Sequence, residues 1–166
     1  TGALHAAIVA RLAARLTRGL GPHAIVWCQS PLRLGDMSEP EPDIAVVRAR
    51  PDAYMTALPG PEDVHLVIEV ADTSLAWDLG VKVPLYARHG IPETWVIDAA
   101  TRQTRVFRGA GDAADHQRTL QRGLEDVARQ AGGPVRLAAE VVVHLLAVEP
   151  GAVGAEQHHR LRALQA

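Results

Sequence analysis

Lysine is almost missing from this chain of 166 residues: of its 17 basic side chains only Lys82 is a lysine, and the rest are arginines. Either the survivor is an incidental exposed residue, or it marks a place where a compact ammonium on a flexible stem does what a planar guanidinium does not. Cysteine is as scarce. The single Cys28 excludes an internal disulfide and a zinc knuckle, and its apolar neighbours make it a small core residue. With one Phe, two Tyr and three Trp, a base-stacking platform for single strands is not expected. No apolar run approaches the ~18 residues of a membrane span, and no segment has the layout of a cleaved signal peptide. A cytoplasmic protein without a membrane partner is the expectation. The chain also lacks a Gly-rich phosphate loop and internal repeats.

What is present describes a globular protein. A hydrophobic share of 48% supports a packed core, and the length suits one domain with a radius of gyration of about 15 Å. That domain is expected over residues 1–148. Pro150, Gly151 and Gly154 break structure in a C-terminal tail, 149–166, where the adjacent His158 and His159 read as solvated residues. The net charge of −2 argues against a nucleic-acid surface unless arginines cluster. Arg33, Arg48, Arg50, Arg102, Arg105 and Arg108 lie in or beside predicted strands, and either line a phosphate track or serve solubility.

The pattern of elements is α/β with antiparallel additions. A first helix runs from His5 to Leu20, and His23 to Gln29 forms a strand. Glu41 to Val47 reads as a second strand, with Asp43 at its mouth after Pro42, which cannot donate to a ladder. Val64 to Val70 is a third, β-branched and apolar, yet it carries Glu69. Thr73 or Ser74 caps a helix from Leu75 to His89 that stops at Gly90, and Thr94 to Asp98 completes a strand, helix, strand crossover of the length a parallel pair needs. Gly80 and Pro84 make this a poor helix by propensity, so packing or function must hold it. A turn at 98–102 leads into Gln103 to Arg108.

A buried carboxylate has to be paired, metal-bound or protonated, so Glu69 needs a partner. If the second and third strands pair antiparallel, Asp43 and Glu69 meet at one edge of the sheet. Strands about 4.8 Å apart let the two acids share a divalent cation, in the way Mg²⁺ takes one or two carboxylates plus water and phosphate oxygens. Asp78, Lys82 and Tyr86 recur every four residues and share a helix face, which is either a surface Asp–Lys pair or part of the same site. Gln29 alternates onto the face of Trp27, within reach of a site carboxylate or water, or is a polar strand end. Tyr86 either contacts phosphate or packs on the sheet.

The runs Glu-Pro-Asp-Ile-Ala-Val-Val from Glu41 and Leu-Val-Ile-Glu-Val-Ala-Asp-Thr-Ser from Leu66 combine with Asp78, Lys82, Leu85-Tyr86-Ala87, Gly90-Ile91-Pro92-Glu93 and Trp95-Val96-Ile97-Asp98. Together they resemble the Uma two family of putative restriction endonucleases, in the PD-(D/E)XK nuclease-like superfamily. The likeness covers roughly residues 5 to 145 and is densest from Glu41 to Asp98. It implies a restriction-endonuclease-like core, a mixed central sheet flanked by helices. It also implies a DNA phosphodiesterase using Mg²⁺ or Mn²⁺, with Asp43 and Glu69 as metal ligands and catalytic acids, Lys82 as the catalytic lysine, and Gln29, Asp78 and Tyr86 in support. The sequence departs from the superfamily pattern twice. Ala71 stands two residues after Glu69, where lysine is usual, and the first helix has no acid, so that His5 either fills that role or is structural or merely solvated.

The remaining segments are less specific. Residues 51–61 hold three prolines and a glycine and read as a surface loop for substrate or partner contact; 108–115 is another loop, and 120–131 a short amphipathic segment. The apolar stretch Val135 to Val148 either closes the core or, around Val141 to Leu146, forms the face of a homodimer, which a one-site domain needs to cut both strands. Beside the endonuclease stand a catalytically inactive nuclease-fold module that binds nucleic acid or a protein, and a structural module whose acids pair only locally.

Overall fold

The structure, a computed structural model, describes residues 2–109 and 132–147, the last four by backbone alone. The loop residues 110–115, the 120–131 segment and the tail 149–166 with His158 and His159 lie outside the described residues. Helix α1 (Ala3–Leu20) leads through a 3₁₀ turn (Gly21–His23) to strand β1 (Ala24–Cys28). Strands β2 (Ile44–Arg48) and β3 (Val64–Ala71) follow, separated by a long loop and a 3₁₀ turn at Pro61–Asp63. Next come helix α2 (Leu75–Trp77), a π-turn (Asp78–Lys82), helix α3 (Val83–Arg88), the hairpin β4 (Glu93–Asp98) and β5 (Thr104–Arg108), and helix α4 (Gly133–Ala147).

The five strands lie side by side in chain order. β2 runs antiparallel to β1 and β3, β4 runs parallel to β3, and β5 returns antiparallel. This is the mixed sheet with flanking helices that the pattern predicts. The crossover between β3 and β4 is the reason for the parallel pair, since two parallel neighbours need a connection that carries the chain back along the sheet.

Alternation along the strands sends side chains to the two faces of the sheet. Ile44, Val46, Leu66, Ile68 and Val70 pack under α1 and α4, against Leu12, Leu16, Leu20, Ala138, Ala139 and Val142. Ala45, Val47 and Val67 face the other way, toward Tyr86 and Ile91. The core face of α1 follows from its buried residues Val9, Leu12, Leu16 and Leu20, spaced at three and four. Val142 is fully buried in this core and Val141 and Val143 pack against it, so the described part of the apolar C-terminal helix closes the core rather than standing free as a dimer face.

The expected continuous helix from Leu75 to His89 is broken in two by the π-turn. Pro84 has no N–H to give to the carbonyl of Gly80, and the chain widens just before it: the Val83 N–H bonds instead to the Asp78 carbonyl, five residues back. Ser74 sits at the cap position, but its hydroxyl does not cap; it donates to Asp78 Oδ2 at 2.6 Å. Gly90 ends α3 with φ +80°, a conformation that favours glycine.

Candidate functional site

Asp43 and Glu69 meet at one end of the sheet for a reason of register. Ile44 pairs with Ile68, so one step further along each strand sets Asp43 opposite Glu69. Asp43 Oδ2 accepts the Val70 N–H at 2.9 Å, which stitches the mouth of β2 to the end of β3. Its other oxygen lies 3.0 Å from Nε2 of His5, which α1 carries to the same edge. His5 is itself buried, and its Nδ1 has no hydrogen-bond partner among the described residues. The alternative of a merely solvated histidine at the helix start therefore falls away.

Glu69 is fully buried on the face covered by the crossover helices. Lys82 Nζ donates to its Oε2 at 2.8 Å, and the Tyr86 hydroxyl donates to its Oε1 at 2.6 Å. Lys82 also lies 3.4 Å from Oδ1 of Asp78, whose carboxylate is nearly as buried. The four-residue spacing thus brings Asp78, Lys82 and Tyr86 to Glu69, and not into a surface pair. Burial pushes the Glu69 carboxyl above its ordinary pKa, and Asp43 adds to this; Lys82 and Tyr86 pull the other way without cancelling it. For Lys82, burial alone disfavours the ammonium, but Glu69, Asp78 and Asp43 outweigh it and hold its pKa above that of a free lysine. The lysine stays charged. Tyr86 is held far above a free phenol by burial and by the charge of Glu69.

Beside this cluster opens a cavity of about 530 Å³, walled by His5, Asp43, Asp72, Thr73, Asp78 and Lys82 and bordered by Trp77. Among the described residues no three of His, Cys, Asp and Glu converge in a ready-made metal cage. The donor set nonetheless fits a hard divalent cation of the kind that takes two carboxylates and fills its shell with water. Three carboxylates surround one ammonium, and among the described residues the buried Asp78 Oδ1 accepts no well-formed hydrogen bond, Lys82 Nζ standing 3.4 Å away. The cluster is short of positive charge.

Two sequence expectations do not meet at this point. Gln29 leaves the strand alternation because its φ of +43° turns the chain after β1; its side chain is exposed, and only its backbone N–H reaches the Asp43 carbonyl. The arginines do not form one track. Arg33 pairs with Glu39, Arg50 with Asp52 and Arg108 with Glu93, while Arg48 bonds to the Glu62 carbonyl. Arg48 and Arg108 sit at the end of the sheet opposite Asp43, as the register of β2 to β5 requires; Arg105, paired with Val96 beside Glu69, lies nearer the site. The loop of residues 51–61 is anchored by buried Tyr54, whose hydroxyl donates to the Arg48 carbonyl and whose ring meets Trp27 and Arg50, so it too belongs to the far end. Sequence reasoning missed Ser74 as the partner of Asp78, and missed Trp77 at the cavity rim. Their signal was spacing: Ser74 precedes Asp78 by four residues.

A family model for Uma2, described as putative restriction endonuclease, matches residues 1–141. The chain belongs to the Uma2 family. No curated protein matches it. The Uma2 match takes in all the residues of the cluster, from His5 on α1 to Tyr86 on α3, and supports a nuclease at the level of the family. Among the described residues of this Uma2 chain, no helix is long and apolar enough to cross a membrane.

Proposed function

We propose that this chain is a Mg²⁺- or Mn²⁺-dependent endonuclease that hydrolyses DNA phosphodiester bonds in the cytoplasm. In this reading residues 1–148 are the nuclease domain, 149–166 a tail, and Asp43 and Glu69 hold the cation. One observation carries it: a fully buried glutamate near the end of the central strand, next to a second acid and held by the only lysine of the chain, beside an open cavity. When bound, such a cation supplies charge neutralisation at a phosphoryl oxygen and a water acidified toward neutrality. Tyr86 fixes the orientation of Glu69, and Asp78 lies beside the Lys82 ammonium and helps to hold it in place. The Lys82 ammonium then offers its N–H to the oxygen on which negative charge grows as the water oxygen bonds to phosphorus and the ester P–O bond breaks. A homodimer belongs to this reading, since one site per chain cuts one strand; light scattering at micromolar concentration tests it, and a monomer mass counts against it.

Calorimetric titration of Mn²⁺ into the wild type, Asp43→Asn and Glu69→Gln, run beside plasmid nicking with Lys82→Arg, tests the proposal. Binding by the wild type that is lost in both variants, with nicking lost in Lys82→Arg, supports it. Full nicking by Glu69→Gln sinks it.

A second reading, a nuclease fold that binds nucleic acid or a protein without turnover, is favoured by one observation: both oxygens of Glu69 already carry donors. Salt-dependent DNA binding without cleavage in Mn²⁺ would select it.

A further inference from the structure

We infer that Trp77 stacks on an unpaired base of the substrate, so that the site takes single-stranded or locally opened DNA in preference to intact duplex. This deepens the nuclease proposal and rests on its site alone; the homodimer, argued from cutting both strands of a duplex, is no part of it. Trp77 is 60% exposed, although large apolar side chains elsewhere in the sheet and its helices are mostly buried. It borders the cavity that holds Asp43, Asp78 and Lys82. Its neighbour Asp78 points inward to Lys82, which turns the indole of the preceding residue toward the rim. The indole thus stands at the edge of a strongly polar floor.

That combination matches one nucleotide: a phosphate for the ammonium and the acids' cation, and a flat apolar base for the indole. A volume of about 530 Å³ lies within the ~300–1,000 Å³ range of small-molecule sites, room enough for a nucleoside unit beside the acids. Binding by stacking also answers the charge problem. The acids beside the cavity repel phosphate, and Arg33, Arg50 and Arg108 are engaged with carboxylates of their own, so a neutral contact that any base can make supplies what a basic groove would otherwise supply.

The test uses the full chain, a single-stranded oligothymidylate and a duplex of equal length. Trp95 is fully buried and Trp27 half-buried, which leaves Trp77 as the indole open to a base, so quenching of tryptophan emission reads the contact directly. We expect the single strand to quench the wild type more strongly than the duplex does. In a fluorescence anisotropy titration Trp77→Ala should bind the strand about tenfold more weakly, with Trp77→Phe in between. Equal quenching by strand and duplex, no quenching by either, or unchanged binding by Trp77→Ala overturns the inference. Plasmid nicking by the wild type separates the two ideas. Nicking with unchanged Trp77→Ala binding leaves the nuclease standing and removes the stacking. Quenching by the strand without any nicking supports the stacking and removes the nuclease.

Discussion

The phenolic hydroxyl of Tyr86 donates to Oε1 of Glu69 at 2.6 Å, and neither side chain reaches solvent. A carboxylate so deep in a sheet keeps its orientation only if its lone pairs are met, and Tyr86 meets one oxygen while Lys82 meets the other. Tyr86 is therefore a positioning residue for Glu69. Tyr86→Phe keeps the ring and removes the donor, and should cost about 1.5–3 kcal/mol in urea unfolding, the range for a hydrogen bond to a charged group. The accompanying Mn²⁺ titration should show weaker binding; an unchanged titration would mean that the hydroxyl has only a structural role.

Lys82→Met leaves Glu69 buried beside Asp43 without its cation. Breaking a fully buried pair costs ~3–5 kcal/mol, and the Lys82 side chain is 27% exposed, so about 2–3 kcal/mol is expected. Combining Lys82→Met with Glu69→Gln should restore part of this loss, because the charge left alone by the first change is removed by the second. Strict additivity in denaturant melts would show that the two groups do not interact.

The chain has two tyrosines, and both hold their protons beyond the ordinary phenol range. Tyr54 is pushed up to about 12, first by burial and then by the nearby Asp63, against the pull of Arg50. The unfolded chain releases these protons near pH 10, the folded one later, so unfolding above pH 10 releases protons and stability falls. The contribution of Tyr54 is complete below about pH 10 and lost as the pH rises through about 12. Absorbance titration near 295 nm checks this; a native midpoint at 10 for both phenols would contradict the packing of both side chains.

Gly90→Ala places a Cβ on a backbone with φ +80° at the end of α3. The expected cost is about 1–2 kcal/mol, the penalty for a left-handed residue other than glycine. Thermal melting measures it, and a more stable variant would mean that α3 ends in another conformation. Space is not at issue, since nothing lies within 4 Å of that position.

Apolar, β-branched runs made β2, β3 and β4 legible, because each is buried on both faces, and a spacing of three and four made α1 legible. The need of Glu69 for a partner was also legible, since an acid in an apolar strand carries a cost that the chain must answer. The identity of that partner was narrowed by composition, in the solitary lysine. Tertiary structure decided the rest. Whether Asp78, Lys82 and Tyr86 face water or Glu69 depends on which side of the crossover helix lies on the sheet, and the π-turn that sets this arises from a missing N–H at Pro84 and the widened turn before it. His5 reaches Asp43 only because α1 crosses the sheet at that angle, and Gln29 misses the site because one residue with positive φ ends the alternation. Contacts between residues 27 or 38 positions apart follow from packing of whole elements, and no local pattern in the chain encodes them.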